Sequence, residues 1–280
     1  IKALAQTTKT GLTFLLDRET GEPIFPIEER EVPQGAIEGD YVSKTQPFPT
    51  KPAPLNPTYF DPDKAFGFTF WDRGHCKRTA KKLRNEGLFT PPSLQGSIHY
   101  PSGVGGNNWG GPAVDSKRNI MVVNTNNMAS LIVMIPREDC NKPLEELSIN
   151  KNQVRFTNIE SNEGAPYCNL RSMGFFSPLG VPCTEPPWGT LTAVDLNTGE
   201  HLWNVPLGTS KDLAPFPFWW IKGAPNMGGP TVTASGVTFI GATSDHYLRA
   251  FNTETGEELA KFRLPTGAHA TPMTYTNEQG

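Results

Sequence analysis

The chain reads as an all-β protein in which one hairpin unit recurs, with long loop insertions and one short helix between the copies. Three observations predict this. Segments beginning at Leu12, Leu191 and Leu248 each alternate apolar and polar residues as far as Asp17, Asp195 or Asn252. Each then turns through Thr20-Gly21, Thr198-Gly199 or Thr255-Gly256. Asp or Asn shortly before a Gly that tolerates positive φ is hairpin chemistry. Glycine and proline number 27 each, which suits many short strands joined by turns. Hairpins recurring at tens of residues belong to a propeller or a solenoid rather than a sandwich.

The elements follow in order. After the first unit, the proline-rich stretch 30–62 reads as an extended excursion over the surface. From Asp72 to Asn85 the pattern predicts a helix, with Asp72 as its cap and Gly87 as its end. Its Lys77, Arg78, Lys81, Lys82 and Arg84 read as a solvated face, with anionic lipid headgroups as the alternative. A hairpin from Pro112 to Asn124 turns at Ser116 to Asn119, and another turns at Ser235-Gly236, just ahead of the third unit. The uneven spacing of the copies implies that insertions interrupt the repeat.

Composition narrows the function. With 280 residues and a formal net charge of −3, the chain has no basic excess for a phosphate backbone, so no nucleic-acid partner is expected. No apolar stretch approaches the roughly 20 residues needed to span a bilayer, and the piece reads as soluble. It opens on Ile1 with neither an initiator Met nor a signal peptide, as an internal piece of a longer protein would. The cysteines at 76, 140, 168 and 183 form no CxxC pair and the five histidines are scattered, which argues against zinc. Cys168 and Cys183 flank a turn-rich stretch and pair in an oxidising compartment, or else all four stay buried thiols.

The second unit carries Ala193, Asp195, Thr198, Gly199 and Trp203, which matches the docking motif of quinoprotein propellers, Ala-x-Asp-x-x-Thr-Gly-x-x-x-Trp. The third copy has Ala260, and the first Phe25, where Trp is expected. Thr8-Lys9-Thr10-Gly11, Gly87-Leu-Phe-Thr-Pro-Pro92, Trp109-Gly-Gly111, Pro186-Pro-Trp-Gly189, Gly228-Gly-Pro230 and Ala270-Thr-Pro-Met-Thr-Tyr275 extend the likeness along the chain. Together they resemble the membrane-bound, pyrroloquinoline-quinone (PQQ)-dependent dehydrogenases of the glucose/quinate/shikimate group. The resemblance implies an incomplete eight-bladed β-propeller, read here as one domain over 1–280 with the excursion and helix at about 30–100. It also implies an N-terminal membrane anchor, first blades and last strands outside this piece. The implied location is the inner membrane, with the propeller in the periplasm.

The same resemblance assigns roles to residues. Lys9 is implied to approach the quinone oxygens, where a positive charge favours the reduced cofactor. Asn124 is implied to donate an amide hydrogen to the quinone, and Trp188 to stack on its plane unless it serves blade packing instead. Asn108 and Trp109, in a glycine-rich loop, are expected to meet substrate. The catalytic Asp and the ligands of the divalent metal, calcium or magnesium, are expected upstream of Ile1, which leaves the piece by itself inactive. Asp245 and His246 are adjacent on a strand pattern, point to opposite faces, and so form no dyad. The implied reaction is oxidation of a small-molecule polyol, with electrons passed to ubiquinone. Quinate or shikimate is favoured by the neutral Asn108 and the compact loop 222–230, with glucose as the alternative. A non-catalytic propeller scaffold is the alternative from another class, and it would lack the counterparts of Lys9 and Asn124.

Overall fold

A computed structural model describes residues 1–101, 103–143, 146–147 and 158–276. Its first half contains β1 (Ala3–Thr7), β2 (Thr13–Asp17), β3 (Ile27–Glu31), β4 (Thr45–Pro49), helix α1 (Phe70–Ala80), β5 (Ser97–His99), β6 (Ala113–Asp115), β7 (Ile120–Asn126) and β8 (Ser130–Pro136). Then come β9 (Asn158–Glu160), β10 (Tyr167–Ser172), β11 (Gly189–Asp195), β12 (His201–Pro206), β13 (Thr231–Val232), β14 (Val237–Ile240), β15 (Tyr247–Asn252) and β16 (Glu258–Arg263). Among the described residues, all pairings between these strands are antiparallel. They build three four-stranded sheets, β6-β7-β11-β12, β13-β14-β15-β16 and β5-β8-β10-β9, and the ribbons β1-β2 and β3-β4. This is the blade pattern of an incomplete propeller, interrupted by insertions as the uneven repeat implied.

The interruption has a definite place. The chain leaves the first blade after β7, builds β8 to β10 in a separate sheet, and returns to the blade at β11. Exit and re-entry touch: the Asn127 N–H donates to the Trp188 carbonyl at 2.8 Å, and its side chain donates to the Pro187 carbonyl at 3.0 Å. The hairpins at 116–119 and at Ser235-Gly236 form where the sequence places them. Strands β3 and β4 pair within the proline-rich excursion.

Strand β7 is buried along its whole length, which suits its apolar start Ile120–Val123, while its last three residues, Asn124, Thr125 and Asn126, are buried polar groups. Its alternate side chains enter two cores. Ile120 and Val122 pack with Leu191, Ala193, Ile240 and Phe251 toward the β13–β16 blade, while Met121 and Val123 pack with Leu55, Val194 and Ala5 on the other side. Each such side chain contributes roughly 1.5–3 kcal/mol on burial. The repeat turns join neighbouring units. Trp203 lies on the Thr255-Gly256 turn, where a Cβ on Gly256 would come within 2.7 Å of the indole, and its Nε1–H donates to the Thr253 carbonyl at 3.0 Å. Phe25 repeats this one unit earlier, 3.1 Å from where a Cβ on Gly199 would stand. Ala260 sits opposite Ala250 in the third copy.

Two expectations are corrected. Helix α1 is capped by Thr69, whose Oγ1 accepts the Asp72 N–H at 3.1 Å. Asp72 is fully buried in the first turn and accepts from the N–H groups of Phe68 and Leu179. The helix also ends at Ala80 rather than Asn85, because Arg84 takes up strand-like pairing: its N–H donates to Gly96 and its carbonyl accepts from Ile98. Lys77 and Lys81 share Asp63, a solvated arrangement. The disulfides are Cys76–Cys183 and Cys140–Cys168, not Cys168–Cys183. Cys183 faces the helix core with Phe60 and Phe175, whereas Cys168 faces the core of the inserted sheet with Val133 and Leu170. Among the described residues no helix is long and apolar enough to cross a membrane.

Candidate active site

The site begins at the turn between β1 and β2. Gly11, at φ +79°, lets the chain reverse, and the Gly11 N–H closes the turn on the Thr8 carbonyl at 3.0 Å. Lys9 is presented at the tip, exposed, and forms no ion pair among the described residues. The glycine-rich loop 105–111 lies directly against it. A Cβ on Gly105 would stand 2.7 Å from the Lys9 side chain, so this approach requires glycine. The Gly106 N–H donates to the Lys9 carbonyl at 2.8 Å, and the Gly106 carbonyl accepts from Asn126 at 2.8 Å.

A polar chain links this turn to the end of β7. Thr7 Oγ1 donates to Asn107 Oδ1 at 2.6 Å, and Asn107 Nδ2 donates to the Asn124 carbonyl at 3.0 Å. The Asn124 side chain is buried and donates both amide hydrogens, to Asn226 Oδ1 at 2.6 Å and to the Gly228 carbonyl at 3.0 Å. The backbone carbonyl of Gly228 fixes which end of the amide is nitrogen. What remains on Asn124 is a buried acceptor, since Oδ1 has no partner among the described residues. Asn56 is similar: its Nδ2 donates to the Asn126 carbonyl and to Asn127 Oδ1, and its Oδ1 is left alone. Unpaired buried oxygens are uncommon, and that of Asn56 is packed against Gly11 and Gly106, where an added Cβ would stand 2.6 and 2.2 Å from it.

The Lys9 turn is therefore tied to the end of β7 twice, through Thr7 and Asn107 to the Asn124 carbonyl and through the Lys9 carbonyl and Gly106 to Asn126, while the Lys9 side chain joins neither path. Lys9 lines two cavities of about 460 Å³ each. One is walled by Gln6, Thr7, Asn107, Asn108 and Trp109. Asn108 turns its side chain into its own loop, donating to the Val104 carbonyl at 2.5 Å and accepting from the Trp109 N–H at 2.8 Å, while the Trp109 indole stays 63% exposed. The other cavity lies toward the excursion and is walled by Asp40, Gln46, Phe89 and His99. Burial holds the His99 imidazole below its ordinary pKa. Tyr100 is raised by burial and then by the charge of Glu185, so its phenol stays protonated.

Trp188 stands apart from Lys9. Its Nε1–H donates to the Thr184 carbonyl at 2.8 Å, its ring meets Phe66 edge-on at 5.7 Å, and the apolar cavity it lines contains neither Lys9 nor Asn124. Asp245 makes no pair with His246. It is fully buried and held by Arg249, Thr243 and the Thr209 N–H. Burial works to raise the Asp245 pKa, but those hydrogen bonds and the Arg249 charge outweigh it and leave the carboxyl below its usual range.

The residues that sequence reasoning passed over are Asn56, Asn107, Asn126 and Asn226. Asparagine at strand ends reads as a turn former, so beyond Asn124, which the resemblance singled out, Asn126 and its neighbours carried no distinct signal. Among the described residues there is no group of three or more His, Cys, Asp or Glu placed to hold a metal ion.

Comparison with known proteins follows the same lines. A family model described as "PQQ: Glucose/ethanol/alcohol dehydrogenase, beta-propeller domain" matches residues 1–280. The quinoprotein glucose dehydrogenase of Escherichia coli is 41% identical over 95% of this chain, and the quinate/shikimate dehydrogenase (quinone) of Acinetobacter baylyi is 36% identical over 96%. The chain spans about a third of their lengths, 34% and 33%. Among solved structures, the quinohemoprotein alcohol dehydrogenase from Comamonas testosteroni superposes with a TM-score of 0.51 at 19% identity, covering 99% of this chain and 30% of its own, a likeness of fold.

Proposed function

Because this chain belongs to the family of PQQ-dependent glucose/ethanol/alcohol dehydrogenase β-propellers, we propose that it is part of an enzyme that oxidises a ring hydroxyl of a small polyol or sugar. Bound PQQ, an ortho-quinone with three carboxylates, supplies the two-electron acceptor. The observation that carries this reading is Lys9: an exposed amine with no ion pair among the described residues, fixed by Gly105 and Gly106 at the rim of a cavity with an indole wall. A flat polyanion needs such a cation at its edge and such a surface beside it.

In this proposal Lys9 holds positive charge at the quinone edge, where negative charge develops on reduction. Asn124 offers its unpaired Oδ1 to a donor on the ligand side, and its amide hydrogens, already bonded to Asn226 and Gly228, hold that oxygen in place. Trp109 walls the cofactor side, and Asn108 stiffens the loop beside the substrate. Trp188 packs the insertion against the blade, and its cofactor-stacking role is not part of this proposal. The divalent metal implied by the resemblance finds no ligand cluster among the described residues, and no role above depends on it.

Two substrates suit the family. Quinate or shikimate is favoured by the neutral Asn108, and an aldose by the higher identity to the glucose enzyme, 41% against 36%. Electrons would pass to ubiquinone in the inner membrane from a periplasmic domain, and two disulfides suit such an oxidising compartment. The test is to assay membranes carrying the full-length protein with quinate, shikimate and glucose side by side, and to titrate PQQ by absorbance into wild type and Lys9→Ala. We expect turnover that requires PQQ, and at least tenfold weaker cofactor binding in the variant. PQQ-independent turnover, or identical titrations, would rule the reading out.

A further inference from the structure

We propose that the loop 209–222 is a finger whose apolar tip enters the surface of an anionic lipid bilayer. The inference deepens the reading of a periplasmic domain at the inner membrane and rests on it. From Leu213 to Ile221 the chain reads Leu-Ala-Pro-Phe-Pro-Phe-Trp-Trp-Ile, without a charge, and Lys211 and Lys222 stand on either side. The base of the loop is closed by the pairing of Thr209 with Lys222 and by the Ser210 N–H, which donates to the Ile221 carbonyl at 2.9 Å. At the tip Phe216 is 75% exposed and Trp220 71%, while Leu213 and Trp219 are half exposed. Large apolar side chains gathered in water mark a surface that meets a partner.

The tip satisfies much of its own backbone. The Leu213 and Ala214 N–H groups donate to the Ser210 carbonyl at 3.0 Å, and the Phe218 N–H donates to the Pro215 carbonyl at 2.9 Å. Pro215 and Pro217 have no N–H to satisfy. The Trp219 Nε1–H donates to the Ala214 carbonyl at 2.7 Å, and its ring meets Phe216 edge-on at 5.5 Å. A segment that leaves water needs its polar groups bonded internally in this way. Phe218 stacks on Phe68 at 4.1 Å, which joins the finger to the start of α1, where Phe70 and Trp71 are also exposed. An apolar cavity of about 260 Å³ between Phe68, Leu179, Leu213 and Pro215 continues the surface. Lys211 and Lys222 form no ion pair among the described residues, and Asp212, the acid beside them, is held by Arg263. A protein partner would bury those amines, and lysine is depleted at the centre of such interfaces. A bilayer takes both parts at once. The aromatic rings suit the boundary between headgroups and acyl chains, while the lysine stems lie along the tip and carry their ammonium groups to lipid phosphates.

The experiment uses the full-length protein in vesicles of phosphatidylethanolamine and phosphatidylglycerol. The cysteines at 76, 140, 168 and 183 are paired, so a nitroxide label attaches at Trp220→Cys, or at Ser235→Cys as the reference on the exposed turn between β13 and β14. Any free cysteine outside this chain is first changed to serine. Electron paramagnetic resonance then compares collisions of each label with oxygen, which concentrates in lipid, and with a nickel chelate, which stays in water. The oxygen-to-nickel ratio at position 220 is expected to exceed that at 235 by about threefold or more, and to fall by about half in Lys211→Glu/Lys222→Glu. Equal ratios at the two positions would place the tip in water and overturn the proposal. Few collisions with either reagent would mean that protein covers the finger, and would overturn it too. A ratio unmoved by the double substitution would overturn the role given to the lysines. Full-length protein found wholly in the soluble periplasmic fraction of cells would overturn the inner-membrane reading, and this one with it.

Discussion

The carboxamide of Asn126 pairs with both backbone groups of Asn226: its Nδ2 donates to the Asn226 carbonyl and its Oδ1 accepts the Asn226 N–H, each at 2.8 Å. A side chain at the end of β7 thus acts as one more peptide unit for the segment that enters the next blade. The Asn226 side chain answers by donating to the Thr125 carbonyl at 2.9 Å and accepting from Asn124. Blade contact and candidate site are one network.

Asn126→Ala leaves a buried N–H and a buried carbonyl of Asn226 without partners. Each such loss costs about 1–3 kcal/mol, so the variant should lose roughly 2–6 kcal/mol in urea denaturation. A loss below about 0.5 kcal/mol would mean that the latch is not formed in solution.

Glycine substitutions test the stacking of one unit on the next. Gly21 and Gly256 occupy equivalent turns with φ of +80° and +74°, but only Gly256 lies under an indole. Gly21→Ala should cost about 1 kcal/mol of backbone strain, and Gly256→Ala about 2–4 kcal/mol because Trp203 must move. Equal melting temperatures for the two variants would refute this packing.

The buried Asp245–Arg249 pair gives an acid dependence. The folded Asp245 pKa is depressed, so its stabilisation is fully present above the ordinary carboxylate pKa and is lost as pH falls through the lower folded value. Asp245→Asn should lower stability by about 3–5 kcal/mol at neutral pH and flatten the decline below about pH 4. Parallel stability curves for variant and wild type from neutral pH down to pH 3 would contradict it.

Cys76 and Cys183 are 107 residues apart, Cys140 and Cys168 only 28. By the loop-entropy argument the longer bridge contributes about 4–5 kcal/mol and the shorter about 3–4. Paired Cys→Ser variants, compared by denaturation under non-reducing conditions, should rank in that order. The reverse order would show that native packing, not chain entropy, decides.

The sequence alone determined the hairpin units, their turns and the blade pattern, because apolar alternation and Asp/Asn–Thr–Gly turns are local properties. Tertiary structure decided which cysteines meet, because pairing depends on which core each faces. It also decided the helix boundary, since Arg84 trades helical bonds for pairing with residues 96–98. Above all it decided the site: Thr7, Asn107, Asn124 and Asn226 span more than two hundred positions, yet they form one chain of hydrogen bonds. A carboxamide is the same in a turn as in a network, and only the fold's long-range contacts tell the two apart.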